Sequence, residues 1–343
     1  MRHLILFTIA ILLPVFAFLN FSQNGKDVLD KQTASVIQPT ETEDSEDVFE
    51  KLPKVFYTEP TNFPSTSNLD HAFFDRIKNP GFYPIRVWEV DLENVNASSA
   101  VVIEPNSQKI LYHKNIFDSR PIASLSKLMT AVVVIEDMSL TDEILISRAA
   151  VETYGDAGGL VVDEKLTVES LLYALLISSS NDAATALEEY YNAFRVEDDA
   201  TFVASMNSKA QQLGLEDTFF VEPSGLNLNN RSTAYDLARL SDYVFQIPAL
   251  RQILSTPVID VQSVDGAFNH HLVNSNKLLG VMPNVLAGKT GYTEEAGESI
   301  AVFVKKGDGA DNYLIYIILG SSDRFKAVRQ LMAWVDEAYV WKQ

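Results

Sequence analysis

The sequence contains no cysteine, and its 27 lysine and arginine residues are outnumbered by 46 aspartate and glutamate residues. Without cysteine the chain has no disulfide framework, no thiolate nucleophile and no cysteine-ligated metal site. The formal net charge of −19 argues against nucleic-acid binding, because little positive charge is available to neutralise phosphates. Since 47% of the residues are hydrophobic, the 343-residue chain can fill the core of one large or two modest domains.

Histidine is also scarce, with five in the whole chain. His270 and His271 are adjacent, and adjacent residues of a strand point to opposite faces of the sheet. His71 and His113 have no histidine or carboxylate at the spacing of a metal site. His3 belongs to the N-terminal segment described below. We therefore expect no metal and no cofactor.

A nucleotide-binding loop is missing too, although the segment GKTGYTEEAG at residues 288–297 superficially resembles the end of one. Such a loop needs a glycine five positions before its Gly-Lys pair, so that backbone N–H groups can surround the phosphates. That position is Pro283, which has no N–H group and a fixed φ. Lys289 and Thr290 therefore need another explanation.

The N-terminus carries a long hydrophobic run. Arg2 and His3 precede apolar residues 4–19, which is the composition of an export signal. The run is slightly shorter than the about 20 residues of a spanning helix, but no small-x-small cleavage site follows it. We expect residues 1–22 to be an uncleaved membrane anchor that places the chain outside the cytoplasm. Cleavage would instead give a secreted protein.

Residues 23–83 have the composition of a tether. The segment ETEDSEDVFE at residues 41–50 concentrates negative charge, and prolines at positions 39, 53, 60 and 64 interrupt the region. Low hydrophobicity with clustered like charge predicts disorder or an extended spacer. We assign residues 84–343 to one folded domain.

Hydrophobic patterning within that domain predicts strands near both ends and helices in the middle. The predicted strands lie within 98–115, 297–307 and 312–322, and the predicted helices within 124–138, 166–178, 181–194, 200–215, 232–245 and 322–341. This order predicts an α/β fold of the α+β type, in which N- and C-terminal strands form an antiparallel sheet covered by helices.

The first candidate site is Ser124 with Lys127, in the segment PIASLSKLMTA. A separation of three places both side chains on one face of a helix, one turn apart. A serine hydroxyl needs a base to remove its proton, and a lysine can be that base if burial or a second cation lowers its pKa. Lys127 lies in an otherwise apolar helix, where a charge is costly. The pair alone also fits an exposed lysine beside an N-cap serine.

The second candidate is the Ser179-Ser180-Asn181 segment between two predicted helices. A hydroxyl and an amide on one loop can relay a proton and hydrogen-bond a peptide. Considered alone, the segment is more simply an N-cap for the helix that begins near Asp182.

The third candidate is Lys289-Thr290-Gly291, which we place on a strand at the edge of the sheet. A cation and a hydroxyl attract a carboxylate, and glycine allows a substrate backbone to approach closely. Considered alone, this tripeptide also fits the end of a surface strand without any function.

The three candidates occur in the order Ser-x-x-Lys, Ser-x-Asn, Lys-Thr-Gly, which is the motif set of penicillin-recognising serine acyl-enzymes. From about residue 96 to the end, the chain closely resembles the serine-type D-Ala-D-Ala carboxypeptidases, the low-molecular-mass penicillin-binding proteins of peptidase family S11. The resemblance is carried by the segments PIASLSKLMTA, LLYALLISSSNDAATAL, VEPSGLNLNNRSTAYDLARL, NSNKLL and GKTGYTEEAG.

The resemblance implies a two-step acyl transfer. Ser124 would attack the carbonyl between two D-alanines of a peptidoglycan stem peptide, and Lys127 would take its proton. Ser179 would help to pass that proton to the leaving amine, and Asn181 would orient the substrate and Lys127. Water would then release the acyl group.

Substrate binding is implied for residues near the C-terminus. Lys289 would attract the terminal carboxylate of the peptide and keep Lys127 less basic, and Thr290 would hydrogen-bond that carboxylate. Gly291 would let the peptide lie along the strand. The backbone N–H groups of Tyr292 and of the nucleophile would hold the oxyanion. Arg324, in LGSSDRF, resembles a further carboxylate ligand of the family.

The resemblance also implies a β-lactamase/DD-peptidase-like fold, with a helical subregion beside the sheet, and β-lactams as inhibitors. Residues 84–343 would be the catalytic domain. Many relatives carry a β-rich domain and a C-terminal amphipathic anchor after it, which we do not expect here. Attachment to the membrane would instead be N-terminal.

Two alternatives remain open at this stage. A serine β-lactamase shares the motifs but needs a glutamate to activate water, and Glu222 with Asn227 in EPSGLN resembles its Glu-x-x-Leu-Asn loop with one residue too many. A catalytically silent wall-binding module is the other, although all three motifs are intact. The motifs also leave open whether the acyl acceptor is water or a second peptide.

Overall fold

The computed structural model of the protein describes residues 83–155, 158–194, 201–309 and 312–342. The strands are β1 (Tyr83–Arg86), β2 (Ser99–Glu104), β3 (Lys109–Lys114), β4 (Arg120–Pro121), β5 (Glu143–Leu145), β6 (Lys165–Thr167), β7 (Arg231–Ser232), β8 (Val258–Gln262), β9 (Asn269–Val273), β10 (Val285–Thr293), β11 (Gly297–Lys305), β12 (Tyr313–Ser321) and β13 (Tyr339–Lys342). The α-helices are α1 (Lys127–Asp137), α2 (Arg148–Val151), α3 (Val168–Tyr173), α4 (Asn181–Phe194), α5 (Phe202–Gln212), α6 (Ala234–Gln246), α7 (Pro248–Leu254) and α8 (Arg324–Ala338).

The main sheet has five antiparallel strands in the order β10-β11-β12-β2-β3. It joins strands from both ends of the described chain, because β12 pairs with β2, and this confirms the predicted α+β architecture. The order also leaves β10, with the Lys-Thr-Gly motif, at one edge of the sheet.

Helices cover both faces of this sheet, which explains why its interior strands β2 and β12 are buried and apolar along most of their length. Side chains of Val101, Ile103, Ile315 and Ile317 belong to the larger hydrophobic core, which also includes most of the helices. Their neighbours Ala100, Val102, Tyr316 and Ile318 belong to a second core beneath α8. The alternation follows the two-residue period of a strand, so each strand contributes to both cores.

The prediction for residues 322–341 was wrong at its end. Helix α8 stops at Ala338, and the next four residues form β13, which pairs with β1. Arg86 binds this junction by donating from Nη1 to the Ala338 carbonyl at 3.1 Å and from Nη2 to the Val90 carbonyl at 2.6 Å. Tyr339, Val340 and Trp341 have side chains that favour strands, and the partner strand that selects this structure is about 250 residues away, beyond the reach of local patterning.

Local boundaries differ in three further places. The buried helix begins at Lys127 after a 3₁₀ turn over Ala123–Ser126, so Ser124 precedes it. Leu166 and Thr167 belong to β6. The end of the next predicted helix is a π-helical turn at Ala174–Ser178, where the sequence suggested ordinary α-helix.

No helix in the part of the chain that the structure describes is long and apolar enough to cross a membrane. The predicted anchor at 1–22 and all but the last residue of the tether at 23–83 lie outside the described residues. Tyr83 itself begins β1.

Three aromatic rings pack together where α6 meets the main sheet. Phe245 stacks on Phe303 with ring centroids 4.1 Å apart, and Tyr313 meets Phe245 edge-on at 4.7 Å. Replacing Phe303 by alanine should lower the free energy of unfolding by about 3–5 kcal/mol, because the cavity would lie in a closed core. Urea unfolding measures this. As a control, Phe219→Ala, at a side chain that is 56% exposed, should change the free energy by no more than about 0.5 kcal/mol.

Candidate active site

The turn that carries Ser124 is stabilised by a hydrogen bond between two of its own residues. Ala123 has a left-handed backbone with φ +47°, and Ser126 Oγ donates to the Ala123 carbonyl at 2.9 Å. Ala123, Leu125 and Ser126 are buried, whereas Ser124 is partly exposed at the start of α1. The turn therefore presents one hydroxyl to solvent from a fixed backbone.

Lys127 lies directly below this hydroxyl and is completely buried. Its Nζ donates to Ser124 Oγ at 3.1 Å, to Asn181 Oδ1 at 2.6 Å and to the Ser224 carbonyl at 2.6 Å. Burial lowers the pKa of Lys127 to about 7, against the opposing effect of the negative charges of Glu222 and Asp182. A large fraction of Lys127 is therefore neutral near pH 7 and able to accept a proton from the serine.

The π-helical turn determines how Ser179 and Asn181 are presented. It ends at Ser179, which has a left-handed φ of +67°. The chain then re-enters a helix at Asn181, whose amide bridges Lys127 Nζ and the Tyr154 carbonyl, the latter at 2.7 Å. π-helical turns occur frequently at functional sites, and here the turn leads directly into Ser179 and Asn181, whose side chains contact different lysines.

Lys289 is the second buried lysine and lies on β10 with no exposed surface. Its Nζ donates to Ser179 Oγ at 2.7 Å and to the Thr290 carbonyl at 2.9 Å. Burial lowers the pKa of Lys289 well below its ordinary value, and the nearby positive charges of Lys127 and Arg324 lower it further. Because repulsion is mutual, each lysine disfavours the charged form of the other.

Strand β10 approaches the serine turn very closely at Gly291. A Cβ atom on Gly291 would lie 3.1 Å from the Ser124 nitrogen and 3.1 Å from the Ile122 carbonyl oxygen. This places the edge strand against the backbone of the nucleophile. Thr290 Oγ1 lies 2.6 Å from Ser275 Oγ, and the Tyr292 ring is 61% exposed beside the site.

Arg324 binds the backbone of β10. Its Nη1 donates to the Gly291 carbonyl at 2.7 Å and to the Ser299 carbonyl at 3.2 Å. Glu298 accepts from the Arg324 backbone N–H at 2.9 Å and lies 3.5 Å from its Nε. Arg324 is thus near the Lys-Thr-Gly motif, although its hydrogen bonds in this structure go to the protein backbone.

The structure brings all nine predicted site residues together, and it adds partners that the sequence did not reveal. Two of these are backbone carbonyls, those of Ser224 and Tyr154, which have no side-chain signature. Ser126 Oγ accepts from Asn230 Nδ2 at 3.0 Å, so the middle position of the first motif is a buried structural contact.

The adjacent histidines His270 and His271 contact carboxylates outside the site described above. His270 is buried with Nε2 2.8 Å from Glu164 Oε2, and the His271 ring is exposed with Nδ1 2.8 Å from Asp260 Oδ1. The expectation that this pair faces in opposite directions is confirmed. Among the residues that the structure describes, no three histidine, aspartate or glutamate side chains are grouped as they would be around a metal ion.

A serine next to a buried lysine of lowered pKa, beside the edge strand of an antiparallel sheet, defines a serine hydrolase of the acyl-enzyme class. The model of the peptidase S11 family, the D-alanyl-D-alanine carboxypeptidases, matches residues 87–323, and the chain belongs to this family.

Curated relatives agree with this assignment. The chain is 33% identical over 252 residues to a D-alanyl-D-alanine endopeptidase of Pseudomonas aeruginosa, covering 72% of this chain and 80% of the relative. It is 32% identical over 250 residues to the D-alanyl-D-alanine carboxypeptidase DacF of Bacillus subtilis, covering 71% and 62% respectively.

Solved structures confirm the fold. The DD-transpeptidase of Streptomyces K15 superimposes with a TM-score of 0.66 at 26% identity, covering 72% of this chain and all of that one. The β-lactamase/DD-peptidase-like architecture expected from the motifs is therefore the observed one.

The loop beneath the serine turn yields a stability prediction. Gly225 has φ +89°, and a Cβ there would lie 1.9 Å from the Ala123 carbonyl oxygen. Gly266 has φ +71° with nothing within 4 Å. Both glycine-to-alanine changes incur the left-handed strain of about 1–2 kcal/mol, but Gly225→Ala should destabilise the protein by at least about 2 kcal/mol more, because backbone must move. Urea unfolding of the two variants checks this, and equal losses would contradict it.

Proposed function

We propose that the protein is a serine D-alanyl-D-alanine carboxypeptidase that removes the terminal D-alanine from peptidoglycan stem peptides. The observation that carries the proposal is the 3.1 Å contact between Lys127 Nζ and the partly exposed Ser124 hydroxyl, with Lys127 fully buried and its pKa near 7. A neutral amine at that distance is a suitable general base for a serine nucleophile.

In the first half-reaction, Ser124 Oγ attacks the carbonyl carbon of the penultimate D-alanine and gives its proton to Lys127. The tetrahedral oxyanion is held by the backbone N–H groups of Ser124 and Tyr292. Collapse breaks the peptide bond, and the proton on Lys127 passes by way of Ser179 to the leaving amine, which leaves Lys127 neutral for the second half-reaction. Because the Ser179 oxygen accepts from Lys289, its own proton is available for this transfer.

In the second half-reaction, a water molecule attacks the acyl-enzyme ester. Its proton passes to Lys127 and then to Ser124 Oγ as the ester bond breaks, which regenerates the serine. The products are D-alanine and a stem peptide shortened by one residue. Asn181 holds Lys127 in place through both steps by its 2.6 Å hydrogen bond.

The edge position of β10 supports the proposed mode of substrate binding. An extended peptide can align along an edge strand and use its unpaired backbone groups. Gly291 would leave room for that peptide backbone, while Lys289, Thr290 and Arg324 would supply the positive potential and the hydroxyl for its terminal carboxylate. The same groups would receive the carboxylate of a β-lactam.

A second candidate activity is endopeptidase cleavage of cross-linked peptides. It is favoured by the 33% identity to the Pseudomonas aeruginosa protein, which is named an endopeptidase. The chemistry at Ser124 would be the same, and only the residue on the leaving side would differ. Parallel assays with a linear peptide ending in D-Ala-D-Ala and a cross-linked dimer separate the two activities.

We also propose that the enzyme acts outside the cytoplasm, attached to the membrane by residues 1–22, with residues 23–83 as the spacer and residues 84–343 as the catalytic domain. The basic start and apolar run of the sequence support the anchor. A spacer would let the site reach the cell wall while the N-terminus stays in the bilayer.

Penicillin should form a long-lived covalent adduct with Ser124, because no glutamate among the described residues of the site is free to activate water for rapid release. Intact-protein mass spectrometry would show the added mass, absent in Ser124→Ala and retained in the surface control Ser139→Ala. D-alanine release from a D-Ala-D-Ala peptide should follow the same pattern. Rapid penicillin turnover would favour the β-lactamase alternative, and peptide binding without cleavage the silent module. The same spectrum shows whether residues 1–22 are retained.

The rate of acylation should rise with pH and reach half its maximum near pH 7. Lys127 must be neutral to accept the serine proton, and it loses its charge as the pH rises through its pKa of about 7. Stopped-flow measurement of acylation by a chromogenic β-lactam between pH 5 and 9 tests this rise in the rate. Lys165→Gln, at an exposed lysine paired with Glu143, should leave the profile unchanged. A half-maximal rate at pH 9 or above would contradict the lowered pKa of Lys127.

A further inference from the structure

The loop at residues 222–227 lies against both the nucleophile turn and the lysine. Its Ser224 carbonyl accepts from Lys127 Nζ at 2.6 Å, and its Pro223 carbonyl accepts from Thr130 Oγ1 at 2.6 Å. Gly225 packs so closely on Ala123 that no side chain fits between them. These residues lie outside the described helices and strands, so no ladder of backbone hydrogen bonds explains their position.

The carboxylate of Glu222 holds this loop together. Oε2 accepts from the Ser224 backbone N–H at 2.7 Å and from Ser224 Oγ at 2.5 Å. Oε1 accepts from the backbone N–H groups of Gly225 at 2.7 Å and Asn227 at 3.2 Å, and from Asn230 Nδ2 at 2.9 Å. Successive N–H groups thus surround an anion that the chain itself supplies.

This arrangement determines where the carbonyl groups point. Because the N–H groups of the loop converge on Glu222, the carbonyls of Pro223 and Ser224 face α1, where Thr130 and Lys127 donate to them. Asn230 ties the same carboxylate to the serine turn, since its Nδ2 also donates to Ser126 Oγ at 3.0 Å. One glutamate therefore links the loop to the first motif at two points.

We propose that Glu222 is a positioning residue for acyl transfer: its carboxylate holds the Ser224 carbonyl against Lys127 and so fixes the general base beside Ser124. The inference rests on the proposed function and deepens it. Glu222 acts through the loop and does not touch the substrate. With five donors on its two oxygens it is poorly suited to take a proton from water, which distinguishes this role from that of a β-lactamase glutamate.

The charges around this network give the role a distinctive signature. Burial disfavours the charged form of Lys127, and the negative charges of Glu222 and Asp182 favour it. Glu188 on α4 also faces Glu222, whose charge adds to burial in raising the pKa of Glu188. Removing the charge of Glu222 should therefore lower the pKa of Lys127 as well as loosen the loop.

The test is Glu222→Gln, in which one oxygen becomes an NH₂ group that must face N–H donors of the loop. Penicillin acylation at its high-pH plateau should fall by about 10- to 100-fold, since buried donors lose their acceptor. The part of the pH–rate profile in which acylation rises as Lys127 loses its proton should also move to lower pH. Hydrolysis of the acyl-enzyme should slow as well, because Lys127 also takes the proton of the attacking water.

Glu104→Gln is the matched control. The Glu104 carboxylate accepts from the backbone N–H groups of Asn106 and Ser107 and from the Ser107 hydroxyl, in the turn between β2 and β3. These strands contribute no residue to the site. Both Glu104→Gln and Glu222→Gln should lose stability in urea, because each leaves buried donors without their acceptor. Glu104→Gln should nevertheless keep the wild-type acylation rate and pH profile.

Several outcomes would overturn the proposal. A normal acylation rate with slower deacylation would make Glu222 a water-activating base. If acylation is slower but the low-pH part of the rate profile does not move, Glu222 has a merely structural role. If Glu222→Gln does not fold, Ser224→Ala removes one donor and keeps the carbonyl and the charge. The Ser224→Ala variant should be acylated by penicillin a few-fold more slowly than the wild type, and the low-pH part of its rate profile should be unchanged. An acylation rate equal to that of the wild type would contradict the proposal.

The same experiment separates this inference from the function on which it rests. If the wild-type protein forms no penicillin adduct at Ser124, the proposed function fails. If the wild-type protein is acylated and Glu222→Gln behaves identically, only the role of Glu222 fails.

Discussion

Two lysine side chains with no exposed surface lie close together in this protein, and the rest of the site is arranged around the cost of burying them. An ammonium group removed from water is stable only if it has acceptors and, because of the repulsion, at a reduced pKa. The nearest acceptors are a hydroxyl, an amide and a carbonyl for Lys127, and a hydroxyl and a carbonyl for Lys289. None of these is a directly paired carboxylate, so neither lysine is held permanently charged.

That constraint explains why the site is made from backbone as much as from side chains. The π-helical turn, the loop at residues 222–227 and the edge strand each bring one carbonyl or hydroxyl to within 3 Å of an ammonium. Close approach is possible because Gly225 and Gly291 have no side chain at the contacts with the serine turn. The nucleophile is thus held between a loop below and a strand beside it.

Much of this could be predicted from the sequence. The order of strands and helices predicted the antiparallel sheet. Three short motifs identified seven of the nine site residues, and the family resemblance added Tyr292 and Arg324. Local patterning failed where a distant segment decides the outcome, as at Tyr339–Lys342, or where a backbone irregularity has no compositional signal, as at Ala174–Ser178. Glu222 shows a third limit of sequence analysis. The spacing between Glu222 and Asn227 did not match the water-activating loop of a β-lactamase, but it could not reveal that the carboxylate binds backbone N–H groups of its own loop.

The pairing of β2 with β12 has a consequence for how the enzyme matures. Val101 lies opposite Ile317, so the sheet joins residues that are more than 200 positions apart. Contacts of such long range form slowly, because the intervening chain must close a large loop first. The serine and its lysine are synthesised early, but the strand that completes their site and the strand that anchors that edge arrive near the end. A chain still emerging from the ribosome therefore lacks the edge strand of its site, and the site is complete only when the C-terminal strands have joined the sheet.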